Sequence, residues 1–139
     1  MCKVVIFDLD NTLHYNPNSN CDQTLNDHIK DIIVHFKNSN IKVTLASLNS
    51  SAPFYLKRYD IFDLFDKVYC KNWTFYGAHK SDFFESICKD FDVSYSDLLL
   101  FDDNIEHCEE AKSLGMKTIQ VDSVKLLQWD DINNGMSLF

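Results

Sequence analysis

Two carboxylates separated by one residue, Asp8 and Asp10, end the apolar run of VVIFDLDNTLHYN, residues 4–16. An extended chain sends side chains i and i+2 to the same side, so this spacing aims both carboxylates at one place. A second acidic pair, Asp102 and Asp103, ends the apolar run of LLLFDDN, and a hydroxyl, Ser47, ends that of TLASLN. Carboxylates held within a few ångströms cannot all ionise unless a cation neutralises them, and a set of oxygen donors favours magnesium or calcium over softer metals. Magnesium is the economical choice. Lys80, after KNWTFYGAH, adds a positive charge near the same edge; Lys71, at the other end of that stretch, is the competing lysine. A hydroxyl, a lysine and a magnesium ion are the parts needed to hold a phosphoryl group.

The elements that must position these groups follow from the apolar pattern. Runs at 4–7, 41–46, 67–70, 98–101 and 117–121 read as buried strands. Helical patterns lie between them. The first is opened by Thr24, with Asp27 as its capping partner, carries Leu25, Ile29, Ile32, Ile33 and Phe36 on one stripe, and stops at NSN. A short helix follows Ser51 with Pro53 in its first turn, where the missing N–H costs least. A third spans about 81–91 with Phe84, Ile87 and Phe91 inward, and a fourth spans 104–114, ended by Gly115. Strands alternating with helices predict an α/β fold: a Rossmann-like, doubly wound parallel sheet of about five strands. Ligands bind such sheets beyond the carboxyl ends of the strands, where all the groups named above lie. The four carboxylates converge if the first and fourth strands are neighbours.

The chain has 139 residues, within the range of about 100 to 200 residues usual for one domain, so residues 1–139 are expected to form a single domain. With 45% hydrophobic residues and 11 Phe, a core can form without disulfides or a structural metal. A net charge of −8 argues against a nucleic-acid partner or an anionic membrane surface, both of which need a basic patch. The 5 cysteines form no C-x-x-C pair, the amino terminus lacks a signal-peptide pattern, and no apolar run approaches the roughly 18 residues of a membrane span. A cytoplasmic protein is expected.

The order DLDNTL, strand-end Ser47, Lys80 and FDD resembles the haloacid dehalogenase superfamily of phosphotransferases, over about residues 3–121. LASLNS, IFDLFDKVY, GAHKSDFFESI, LLLFDDNIEH, AKSLGMKTIQV and NNGMSL resemble segments of its small magnesium-dependent phosphatases without a cap domain. The spacing leaves no room for a large cap. The chain departs from that group at Asn11, His14 and Leu48, positions that bear on the substrate.

The resemblance implies that Asp8 is the nucleophile, forming an aspartyl-phosphate, and that Asp10 is the general acid/base. It implies magnesium bound by Asp8, by the backbone carbonyl of Asp10, and by Asp103 with Asp102 directly or through water. Ser47 and Lys80 would hold the phosphoryl oxygens, Leu48 would border the substrate, and Thr12 would brace the turn. Trp73, Phe75 and Tyr76, and also His14 and Tyr15, either face the substrate or pack on their own domain. A receiver module also joins acids, a hydroxyl and a lysine, but there the acidic pair comes first and the hydroxyl and lysine follow the phosphorylated Asp. A phosphotransferase or mutase would need a cap to exclude water. A non-catalytic phospho-binding module is the remaining alternative. The implied substrate is a small phosphomonoester or a phosphoprotein. No feature of the sequence sets an oligomeric state.

Overall fold

A computed structural model describes residues 2–15, 25–71 and 79–139. Five parallel strands, β1 (Lys3–Phe7), β2 (Ile41–Ser47), β3 (Lys67–Cys70), β4 (Leu98–Asp102) and β5 (Lys117–Gln120), lie in the order β3-β2-β1-β4-β5. Among the described residues five helices cover them: α1 (Ile29–Asn38), α2 (Ala52–Arg58), α3 (Lys80–Phe91), α4 (Ile105–Ser113) and α5 (Trp129–Met136). The architecture is Rossmann-like α/β, with no large cap among the described residues.

The strands are nearly continuous apolar runs because the sheet is buried on both faces. Alternate residues of β1 and β4 feed two separate cores. Val5, Phe7, Leu99 and Phe101 meet α1, α2 and α5 through Ile32, Phe36, Leu56 and Ile132. Val4, Ile6, Leu98 and Leu100 meet α3 and α4 through Phe83, Phe84, Ile87 and Ala111. Phe7 stacks on Phe101 across neighbouring strands, with centroids 5.3 Å apart.

Three expectations shift. The first helix starts at Ile29 and not just after Thr24; Thr24 itself lies outside the described residues, as do Trp73, Phe75 and Tyr76. Residues 25 and 26 are committed elsewhere. Leu25 bridges to His14, the Asn26 N–H donates to the Leu13 carbonyl at 2.8 Å, and the Asn26 side-chain amide donates to the Leu127 carbonyl. The third helix begins at Lys80, and its buried face is Phe83, Phe84 and Ile87, with Phe91 only half-buried. Finally, α5 was not foreseen, since WDDINNGM has little helix propensity. Its Gly135 explains the close packing: a Cβ there would stand 2.8 Å from the Phe101 ring and 2.9 Å from Leu99. The boundary residue Gly115 has φ +95, the left-handed geometry expected of it.

Candidate active site

The sheet order places β1 beside β4, and Asp8 extends their ladder by one residue, its N–H donating to the Phe101 carbonyl at 3.0 Å. Helices of the two faces diverge at this edge, which is where a cleft forms in doubly wound sheets. The chain then turns sharply. Leu9 accepts from the N–H groups of Thr12 and Leu13 at 3.2 and 3.0 Å, and Asn11 takes φ 60, a left-handed value asparagine tolerates. The turn puts Thr12 Oγ1 3.2 Å from Asp8 Oδ2, so Thr12 braces the carboxylate as well as the turn.

Lys80, and not Lys71, reaches the acidic group. Its Nζ donates to Asp8 Oδ1 at 2.8 Å and lies 3.3 Å from Asp102 Oδ2, with the side chain 1% exposed. The position follows from α3, whose first residue is Lys80 and whose start is capped by His79 and Asp82. Burial alone would lower the lysine pKa, but Asp8 and Asp102 outweigh it and hold the ammonium charged, with its pKa raised. Asp102 accepts from the Asn104 N–H at 2.9 Å and from His107 Nδ1 at 3.1 Å. Against burial, His107 and Lys80 keep its pKa low.

Asp8, Asp102 and Asp103 each offer an oxygen within 4.8 Å of the others. Burial, with Asp102, raises Asp8 against the pull of Lys80, and burial, Asp8 and Asp102 push Asp103 up to about 8. One lysine therefore does not balance three carboxylates, and the donor set is all oxygen. The residues present fit a hard divalent cation such as magnesium.

Asp10 sits on the other side of the turn and is half-buried. Its Oδ1 is 2.8 Å from His14 Nε2, and the Asn49 side-chain amide lies 3.4 Å from Oδ1 and 3.3 Å from Oδ2. His14 is fully buried, and its Nδ1 is 2.6 Å from the Tyr59 hydroxyl. Burial holds the Tyr59 phenol above its usual pKa. Ser47 is buried at the end of β2, and its hydroxyl oxygen accepts from the Asn49 N–H at 3.1 Å. Leu48 packs partly against the α3/α4 core. Tyr15 donates to the Val124 carbonyl at 2.6 Å. Burial raises the Cys70 thiol and pushes that of Cys108 up to about 12, so neither is poised as a nucleophile.

Asn49, Tyr59 and His107 were not singled out in the sequence. Asn49 and His107 lie two and five residues beyond strand-end groups of the site, a proximity that could have flagged them; Tyr59 carries no local signal.

No protein with a curated description matches the sequence. Among solved structures, the core domain of a candidate phosphoglycolate phosphatase from Streptococcus pneumoniae superposes with TM-score 0.70 at 16% identity, covering 99% of this chain and 96% of that one. The phosphatase-domain-containing N-terminal part of BF1531 from Bacteroides fragilis, complexed with Mg, gives TM-score 0.73 at 18% identity, covering 99% of this chain and 40% of that one. A haloacid dehalogenase family enzyme from Bacteroides thetaiotaomicron, in complex with magnesium and inorganic phosphate, gives 0.67 at 11% identity, covering 88% and 96%. These likenesses are of fold. The sequence profile of the haloacid dehalogenase-like hydrolases matches residues 14–121, starting just after Asp8 and Asp10 and spanning Ser47, Lys80 and the Asp102/Asp103 pair. With that match over most of its length and with the sheet order described above, the chain belongs to the haloacid dehalogenase-like hydrolase family.

Proposed function

We propose that residues 1–139 form one phosphatase domain that hydrolyses phosphomonoesters with magnesium through an aspartyl-phosphate on Asp8. The observation that carries this reading is the Asp8 carboxylate itself. It stands at the carboxyl end of the central strand, held by Lys80 at 2.8 Å and Thr12 at 3.2 Å, beside Asp102 and Asp103.

Asp8 attacks phosphorus in line, which divides one difficult displacement into two easier ones. Asp10 gives a proton to the leaving oxygen and later takes one from the water that cleaves the aspartyl-phosphate, a role typically worth about 10² to 10⁴ in rate. Magnesium, when bound, offsets the charge of the carboxylates and of the phosphoryl oxygens. Asp8, Asp102, Asp103 and the backbone carbonyl of Asp10 would hold it. Lys80 keeps Asp8 oriented and, with Ser47, supplies contacts for the phosphoryl oxygens. Leu48 borders the substrate. The half-exposed Asp10 suits an open site that takes a small phosphomonoester or a phosphorylated side chain of a protein. Solved structures of the same fold with bound magnesium, one of them with inorganic phosphate, support the reading by analogy of fold.

The test is release of p-nitrophenol from its phosphate ester by purified protein, with magnesium and with a chelator, beside Asp8→Asn. The expected result is metal-dependent turnover that the variant lacks. Turnover by Asp8→Asn equal to the wild type would remove the aspartyl-phosphate mechanism.

A further inference from the structure

Asp10 must present one defined oxygen to the reacting atom if it is to move protons, yet a carboxylate has two equivalent oxygens. The Asn49 amide does not choose between them, since it lies almost equally far from both, at 3.4 and 3.3 Å. His14 does, because its Nε2 meets Oδ1 alone, at 2.8 Å. Once Asp10 has given up its proton it can only accept, so for the 2.8 Å contact to hold then Nε2 carries the hydrogen and donates it. The ring cannot turn away. Tyr59 binds the opposite nitrogen at 2.6 Å, while the rings of Tyr55 and Tyr59 meet His14 edge-on at 5.1 and 5.6 Å.

We propose that His14 is a positioning residue that, locked by Tyr59, gives the two oxygens of Asp10 separate tasks: Oδ1 accepts from the imidazole and Oδ2 carries the proton. The proposal rests on the reading of Asp10 as the general acid/base. In the first half-reaction the Asp8–phosphorus bond forms, the ester P–O bond breaks, and the proton on Oδ2 passes to the departing oxygen. In the second, water oxygen bonds phosphorus, its proton goes to Oδ2, and Asp8 is released. His14 keeps its own hydrogen throughout. A histidine with only a packing role would need partners too, because buried polar groups are nearly always hydrogen-bonded. The two roles differ in how the leaving group responds.

A poor leaving group depends on protonation, and a good one hardly does. The measurement is therefore kcat/KM for ethyl phosphate and for p-nitrophenyl phosphate in wild type, His14→Leu, His14→Gln and Tyr59→Phe, all with magnesium. His14→Leu is expected to lose at least about tenfold more on the alkyl ester than on the nitrophenyl ester, a fraction of the full general-acid effect. His14→Gln, which keeps an N–H near Oδ1, should recover part of that gap, and Tyr59→Phe should open a smaller one. Equal losses on both esters in every variant would overturn the proposal and leave the phosphatase reading standing. A wild type inactive on both esters and unable to form a phosphoenzyme would remove that reading and the proposal with it. Should His14→Leu not fold, ring nitrogen resonances of the wild type decide. A protonated His14 Nε2 is expected, and a bare Nε2 overturns the proposal whatever the activity.

Discussion

Asp8 and Asp10 are two residues apart, yet opposite faces of the sheet hold them by different forces. Asp8 is fixed from the α3/α4 side by charge: a buried ammonium lies at 2.8 Å, with Asp102 and Asp103 alongside. Asp10 is fixed from the α2 side by hydrogen bonds, through His14 to Tyr59, near the edge where it is half-exposed. The difference suits the tasks proposed for them. A nucleophile that must stay ionised in a dry place needs opposite charge beside it, whereas a group that gains and loses a proton works better when held without a strong fixed charge.

The largest test of this contrast is Lys80→Met. Removing the lysine charge leaves Asp8 and Asp102 buried without an ammonium, and breaking such a pair typically costs about 3 to 5 kcal/mol. Denaturant unfolding at neutral pH should show that loss along with the loss of phosphatase turnover, and magnesium should restore part of the stability. A variant as stable as the wild type would mean that the charge on the α3/α4 side is not what holds Asp8.

Next in size is a pH effect. Asp103 has its folded pKa raised to about 8, so its contribution is fully present below the unfolded value and is lost as pH rises through about 8. Asp8 shifts in the same direction. Metal-free protein should therefore lose stability between about pH 4 and pH 8, by a few kcal/mol, less than the full shift implies because solvent screens the half-exposed Asp103. Saturating magnesium or Asp103→Asn should flatten that slope. Asp102, with its pKa lowered, acts oppositely and weakens the protein only as pH falls through its folded value. A metal-free profile that rises through neutral pH would contradict the crowded-carboxylate picture.

The smallest effect belongs to the hydrogen-bonded side. Tyr59→Phe removes one partner of His14 Nδ1 and should cost about 1 kcal/mol in denaturant unfolding, the usual worth of one such bond. A loss as large as that of Lys80→Met would erase the contrast between the two carboxylates.

Much of the frame was legible in advance because it rests on local pattern. The apolar runs of β1 to β5 match the strands to within a residue or so, and Ile29, Ile32, Ile33 and Phe36 do line the buried face of α1. Pro53 in the first turn of α2 and Gly115 after α4 obey backbone rules that need no tertiary context. The misses have one source in common. Residues 25 and 26 looked like the start of a helix but are drawn to His14, Leu13 and Leu127 instead. Similarly, α5 forms where propensity is poor because Ile132 is buried and Gly135 lets the backbone approach Phe101.

By itself the sequence determined which residues stand at strand ends, since the apolar runs mark where the buried strands stop. Tertiary structure alone decided the rest: β4 beside β1, which brings Asp102 and Asp103 to Asp8; Lys80 over Lys71; and Tyr59, far along the chain, behind His14. Those outcomes depend on which helix crosses which face, and side-chain periodicity carries no record of partners so distant in sequence.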